Sequence, residues 1–273
     1  MNPSEIFSHH ARRRNKAAVA YLSNELVKLT FSERFTNRAS DYVAGRPSYP
    51  EECFTVLFQG LGNPAALTVV DLGAGTGISS RLLCARGASV IAVEPNRAMR
   101  EHAEPGINLI WKAGTAEDTG LPIESADLVT AFQAFHWFDS DGALREIVRI
   151  LRPSGRAAVI YNERDDNDPF TAAYSYLARC HSTGETEPQR NDGRAEFETY
   201  SGWSRVRVIE FENAQCLDRA GIHARARSTS YLPNDGAAGT RLHAAIDALF
   251  DRYDSDGMVK MLMKTIVTIG FIE

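Results

Sequence analysis

Short apolar runs alternate along this chain with stretches of helical spacing, the pattern of a parallel sheet crossed by helices. Residues 67–72 form the first run; rich in β-branched side chains, it reads as a buried parallel strand. Gly73, Gly75 and Gly77 follow at alternate positions, and Ile78-Ser79-Ser80-Arg81-Leu82-Leu83 opens a helical pattern. Further strands are predicted over 89–93, 107–111, 126–131, 156–161 and 206–211. Between and after them, helical patterns cover 51–61, 97–102, 142–151, 169–178 and 237–250. Pro153 and Gly155 stop the fourth-strand helix. The last apolar run, 261–272, reads as a helix passing into a final strand. Residues 181–200 are polar and turn-rich, a loop or mobile cover. Nothing repeats internally, and no low-complexity tract or clear linker stands out.

The candidate chemistry sits where strand, glycine loop and helix meet. Glycines let backbone approach a ligand closely, and a helix start offers N–H groups. A dinucleotide fingerprint needs its third glycine at position 78, which is Ile; the spacing here is G-x-G-x-G. The strand over 89–93 ends in Glu94, whose carboxylate can accept from both hydroxyls of a ribose. An ordinary glycine turn, or an NAD site with a degenerate third glycine, remains the competing reading.

Other stretches carry two readings each. Tyr42, Arg46 and Tyr49 lie in a loop shaped by Gly45, Pro47 and Pro50; Arg46 either grips a carboxylate or caps the next helix. The aromatics Phe132, Phe135, Trp137 and Phe138 either line a pocket or fill the core. His136 is either a working side chain or a buried hydrogen-bonded one. Asn162, Glu163, Arg164 and Asp165 follow the fifth strand on the same rim. The basic run from His9 to Lys16 and the helical spacing over 17–29 suggest a solvated helix, a lid or a dimer contact. A membrane-surface or nucleic-acid arm fits less well with the acidic chain.

Composition narrows the field. With 273 residues, 44% hydrophobic and 24% charged, the chain suffices for one large α/β domain. A net charge of −5 supplies no nucleic-acid footprint. Cys53, Cys84, Cys180 and Cys216 form no C-x-x-C pair, so neither a metal site nor a disulfide framework is expected, as in a cytoplasmic protein. No apolar run approaches the ~18 residues of a membrane span, and no signal-peptide core opens the chain.

Four motifs occur in order: Val70-Asp71-Leu72-Gly73-Ala74-Gly75-Thr76-Gly77, Val93-Glu94-Pro95-Asn96, Gly114-Thr115-Ala116-Glu117 with Leu121-Pro122, and Gln133-Ala134-Phe135-His136-Trp137-Phe138. Together with Arg46-Pro47-Ser48-Tyr49-Pro50 they resemble the small-molecule class I S-adenosylmethionine (SAM) methyltransferases, the group that includes trans-aconitate methyltransferase and the quinone-biosynthesis enzymes. The resemblance covers roughly residues 35–165, about half the chain. It implies a Rossmann-like, doubly wound seven-stranded α/β sheet, mostly parallel with an antiparallel last strand. It also implies a helical N-terminal extension over 1–34 and a methyltransferase domain over 35–273, with 165–205 and 212–255 as cap or acceptor-side insertions.

The resemblance further implies roles. Gly73, Ala74, Gly75 and Gly77, with Asp71 among the cofactor-binding residues, would cradle the methionine and ribose end of SAM. Glu94 would bind the ribose, with Pro95, Asn96 and Met99 beside the adenosine. Thr115, Ala116 and Glu117 would meet the adenine; Thr115 stands where the family often has Asp, which shifts that contact toward Glu117 or the Ala116 backbone. Phe132 and Gln133 would flank the methionine moiety, whose carboxylate would pair with Arg46 beside Tyr42. His136 and Trp137 would lie near the transferred methyl, His136 as a base, with Tyr49, Asn162 and Arg164 toward the acceptor. The 39–50 segment would fold over the cofactor, and the polar stretch near Trp203 over the acceptor. The implied partner is a small molecule, with no nucleic acid or membrane, and the chain a monomer or homodimer. The competing functions are a SAM-binding protein without catalysis and an NAD(P)-linked oxidoreductase. No Asp/Asn-Pro-Pro-aromatic tetrapeptide follows the fourth strand, unlike the amino-methylating nucleic-acid enzymes.

Overall fold

The computed structural model describes residues 46–183 and 193–273. The basic N-terminal run, the helical spacing over 17–29, Tyr42 and residues 184–192 lie outside the described residues. Seven strands form one sheet in the order β3-β2-β1-β4-β5-β7-β6. They are β1 Thr68–Leu72, β2 Ser89–Val93, β3 Leu109–Lys112, β4 Ala126–Phe132, β5 Leu151–Arg164, β6 Arg205–Leu217 and β7 Val259–Phe271. The first five pair in parallel, and β7 runs antiparallel between β5 and β6. Chain order reverses beside β1, where β2 lies on one side and β4 on the other. In doubly wound sheets that is where ligands bind, at the carboxyl ends of the strands.

Helices cover both faces. On one, Phe54 and Leu57 of α1 (Glu51–Phe58) and Leu83 of α2 (Ile78–Cys84) pack against Val69, Val90 and Leu128. A five-residue α3 (Arg97–Glu101) follows β2. On the other face, Leu144, Ile147 and Ile150 of α4 (Ser140–Ile150) pack on Val70, Leu72 and Val129. With the buried Ala143, these side chains recur at the three- and four-residue spacing of one helix stripe. A third cluster unites α5 (Pro169–His181) and α8 (Gly236–Tyr253) with the start of β7, through Tyr174, Leu242, Ile246, Phe250 and Met261.

Three expectations are corrected. Residues 261–272 hold no helix: all but Ile272 belong to the thirteen-residue strand β7. Flanked by strands on both edges, β7 buries both faces from Thr265 to Gly270, so its apolar run lacks the alternation that marks a half-exposed strand. The polar stretch 181–200 is not all loop. Residues 194–198 form α6 (Arg194–Glu198), and its Phe197 is fully buried against Phe135 and Trp203, at ring-centroid distances of 5.7 and 5.1 Å. Trp203 accordingly belongs to the core: its indole N–H donates to the Phe197 carbonyl at 2.7 Å, and its ring fills the space over Gly270.

A second helix also went unpredicted, α7 (Arg219–Ser228). Asp218 caps it by accepting from Gly221 N–H at 2.7 Å. Its weak apolar stripe, interrupted by the buried Arg225, hides it from a periodicity reading.

Candidate cofactor and acceptor site

The glycine loop is pinned to the neighbouring strand. Gly73 and Ala74 N–H both donate to the Val93 carbonyl, at 2.9 and 3.2 Å. Gly75 N–H donates to Glu94 Oε2 at 2.9 Å, and Asn96 N–H donates to Glu94 Oε1 at 2.8 Å. One buried carboxylate thus ties the loop after β1 to the loop after β2. Gly75 has φ +59°, and a Cβ there would meet nothing within 4 Å. The left-handed conformation and the open space above it both suit close approach by a ligand. Gly77 has φ +80°, and a Cβ would fall 2.7 Å from the Trp111 ring, so any larger residue would push α2 off β3.

Glu94 is 8% exposed. Burial pushes its pKa above the ordinary value, while the Asn96 and Gly75 N–H groups and the nearby Arg100 pull it back. A carboxylate has about four lone-pair sites, and the two backbone donors leave acceptor capacity for hydroxyl groups. The Arg100 guanidinium braces the same loop from outside by donating to the carbonyls of Glu94 and Pro95.

Asp71 holds the loop from beneath. It is fully buried; Ser79 and Ser80 hydroxyls donate to its Oδ2 at 2.7 and 2.6 Å, and Thr130 donates to Oδ1 at 2.9 Å. The strand register sets Thr130 opposite Asp71. Burial raises the Asp71 pKa against the pull of these hydroxyls. Its carboxylate therefore acts on any ligand through the start of α2, not by touching it.

Farther along the rim, Asn96 Oδ1 caps α3 through the N–H groups of Ala98 and Met99, and Met99 and Ala116 are buried. The Thr115 hydroxyl accepts from Asp118 N–H at 3.1 Å, closing the turn as an Asp side chain would. Glu117 accepts from Asp139 N–H at 2.7 Å, which ties this turn to the entry of α4.

Beside the glycine loop opens a cleft. Gly73, Ala74, Ile78 and Ser79 line it, with Phe132, Gln133, Tyr49, Pro47, Asn162, Arg46, Arg164 and Arg225. The Tyr49 and Phe132 rings meet edge to face at 4.8 Å. Gln133, at φ +54°, donates from its side-chain amide to the Asn162 carbonyl at 3.0 Å. Such strained non-glycine backbone concentrates at ligand sites. Asn162 in turn donates to the Ser48 carbonyl at 3.2 Å and holds the 46–50 segment over the cleft. Arg46 donates to the Ser228 carbonyl at 3.2 Å, the last residue of α7.

The structure thus gathers Arg46, Tyr49, Gly73, Ala74, Phe132, Gln133, Asn162 and Arg164 around one cleft, with Glu94 at the adjoining loop. His136 and Trp137 do not line it. They occupy the short turn Phe135–Trp137, where His136 Nδ1 lies 3.5 Å from the Tyr161 hydroxyl. Arg225, absent from the sequence-based candidates, does line it; an arginine in an unpredicted helix carries no local signal. Among the described residues no group of three or more His, Cys, Asp or Glu side chains is placed to hold a metal ion, and no helix is long and apolar enough to cross a membrane.

A family model described as a methyltransferase domain matches residues 70–159, the stretch that carries the glycine loop, Glu94 and Gln133. An uncharacterized methyltransferase of Mycobacterium tuberculosis is 39% identical over 133 residues. That match takes in 48% of this chain and 53%, about half, of the relative's length. An uncharacterized methyltransferase-like protein of Schizosaccharomyces pombe is 28% identical over 240 residues, 85% of this chain and 92% of its own. In fold, the chain is similar to the YcgJ protein of Bacillus subtilis, with a TM-score of 0.53 at 18% identity over 82% of this chain and 99% of that one. Sheet order and glycine loop define a Rossmann-like fold of the kind found in methyltransferases. The chain is thus similar in sequence and in fold to methyltransferases, with the family match confined to residues 70–159.

Proposed function

We propose that this chain transfers the methyl group of SAM to a small-molecule acceptor bound in the cleft beside the glycine loop. The observation that carries the reading is the pairing of Gly75, left-handed with open space above it, with the buried carboxylate of Glu94. That donor set and cradle fit a ribose with two free hydroxyls. Glu94 would accept from those hydroxyls, Met99, Ala116, Thr115 and Glu117 would border the adenine, and Arg46 would meet the methionine carboxylate above Gly73 and Ala74. SAM, when bound, supplies a methyl on a positively charged sulfur that any aligned nucleophile displaces in line.

The chain's contribution is alignment and exclusion of water, effects worth several kcal/mol of barrier. Phe132 and Tyr49 present an apolar edge at the junction of loop and cleft, which keeps water from the reacting centre. Gln133 and Asn162 hold the cleft wall through their mutual hydrogen bond. Residues 46–50 close over one side, and Arg225, inside the 212–255 insertion, reaches the cleft from the other. The place of Arg225 supports reading 212–255 as an acceptor-side insertion.

Calorimetric titration with S-adenosylhomocysteine (SAH) and, separately, NADH tests the reading. SAH is expected to bind and NADH not to; the reverse order overturns it in favour of an oxidoreductase.

A further inference from the structure

A group of arginines lies at the other end of the strands from the glycine loop, where β5 and β6 begin. The register sets Phe271 of β7 directly opposite Arg156 of β5 on one side and Arg205 of β6 on the other, so the three side chains share one face. Both guanidinium groups stand over the Phe271 ring, at 4.9 and 4.3 Å from its centroid. Arg207, two residues along β6 from Arg205, falls on the same face.

The positive charge of this patch is not offset. Among the described residues none of the three arginines takes part in an ion pair. Asp127, near the start of the neighbouring β4, is itself paired with Arg152 at 2.6 Å. Arg156 is 7% exposed. Its Nη1 donates to the Gln59 carbonyl just past α1, at 2.8 Å, while its buried Nε has no hydrogen-bond partner. Burial lowers the Arg156 pKa, and the charges of Arg205 and Arg207 lower it further. One carbonyl and one aromatic face are modest compensation for a buried cation beside two like charges. Arg205 and Arg207 are exposed, so the patch is open to solvent on their side.

Planar guanidinium groups match phosphate oxygens in two-pronged fashion. A carboxylate brings two oxygens and one charge to such a patch. A phosphate monoester brings three oxygens and about −1.5 to −2 charges at pH 7, which answers three guanidinium groups more fully.

We propose that Arg156, Arg205 and Arg207 form a second binding site, for a small phosphorylated compound whose phosphate group bridges the three side chains. The site is separate from the cofactor cleft: Arg164, at the cleft, lies eight residues farther along β5, roughly 26 Å at the rise of a strand. A phosphate bound there neither displaces SAM nor depends on the methyltransferase reading. It links β5, β6 and the end of β7 and so favours the folded state by mass action.

The test is calorimetric titration of the full chain at matched ionic strength in chloride. The probes are inorganic phosphate, glycerol 3-phosphate, acetate, and phosphatidylcholine vesicles with and without phosphatidic acid. Inorganic phosphate or glycerol 3-phosphate is expected to bind at one site, at least about tenfold more tightly than acetate, with the same affinity in the presence and absence of SAH. Arg205→Gln and Arg207→Gln, both at exposed positions, are each expected to weaken that binding about tenfold, with circular dichroism confirming that the variants fold. No saturable phosphate binding, acetate as tight as phosphate, or binding untouched in both variants overturns the inference. So does competition between phosphate and SAH, which would place the phosphate in the cleft. Binding to phosphatidic acid vesicles without binding to either soluble phosphate overturns it in favour of a lipid headgroup.

Discussion

Replacing Glu94 by Ala perturbs the centre of the proposed site. Its two carboxylate oxygens accept from Gly75 and Asn96 N–H at 2.9 and 2.8 Å, in a setting that is 8% exposed. The variant removes a charged acceptor from two ribose hydroxyls and frees the loop that carries Gly75. Hydrogen bonds to charged groups contribute about 1.5–3 kcal/mol each, and the loss is partly shared between them, so SAH affinity is expected to fall by about 2–4 kcal/mol. That corresponds to roughly 30- to 700-fold in the dissociation constant. Isothermal titration calorimetry reads it, with circular dichroism and a melting curve as checks on folding. Glu94→Gln, which keeps one acceptor oxygen, is expected to fall between Ala and wild type. Binding through the ionised carboxylate also sets a pH sign. Burial raises the Glu94 pKa above 4.5, so on acidification the affinity should begin to fall at a pH above that value in the wild type and stay flat in the Gln variant. A folded Ala variant with wild-type SAH affinity would refute the reasoning and leave Glu94 a loop brace alone.

Three further outcomes are expected. Gly75→Val places a β-branched residue at φ +59° with no neighbour to clash; the fold should persist, with about 1–3 kcal/mol of strain in urea unfolding, while SAH binding is lost to calorimetry as the side chain fills the cradle. Asp71→Ala strands the hydroxyls of Ser79, Ser80 and Thr130 and should cost about 3 kcal/mol in urea unfolding; Asp71→Asn, whose oxygen still accepts, should cost less. The Glu146 carboxyl is held down to about 2 by Arg149 and by the Thr119 hydroxyl and N–H. Its contribution to stability is therefore complete above its ordinary value of 4.5 and lost as pH falls toward 2; Glu146→Gln should flatten the pH dependence of unfolding across that window.

The parts of this molecule that were readable in advance are those whose physics is local. The β1 run, the three glycines and the acidic end of β2 reveal a cofactor loop because each demand falls on consecutive residues. Asp71 was legible as important, and its role was not. That role depends on Thr130, brought beside it only by the pairing of β1 with β4. The tail was misread because β7 is buried on both faces, where strand and helix periodicities look alike. Trp203 looked like a mobile cover and is core, through Phe197 in a helix five residues long. Arg225 could not be picked out at all: its place in the cleft depends on α7 lying beside Arg46 and the end of β5, contacts far apart in the chain.

The central claim is methyl transfer itself. The most direct measurement incubates the purified chain with SAM carrying a trideuterated methyl group and a metabolite extract, followed by mass spectrometry of the small molecules and of SAH. The account predicts SAH formation matched by at least one small molecule that gains a single trideuteromethyl group, in wild type and not in Glu94→Ala. A chain that binds SAH tightly yet labels nothing across extracts, with no SAH formed beyond the rate of the Glu94→Ala variant, would contradict it.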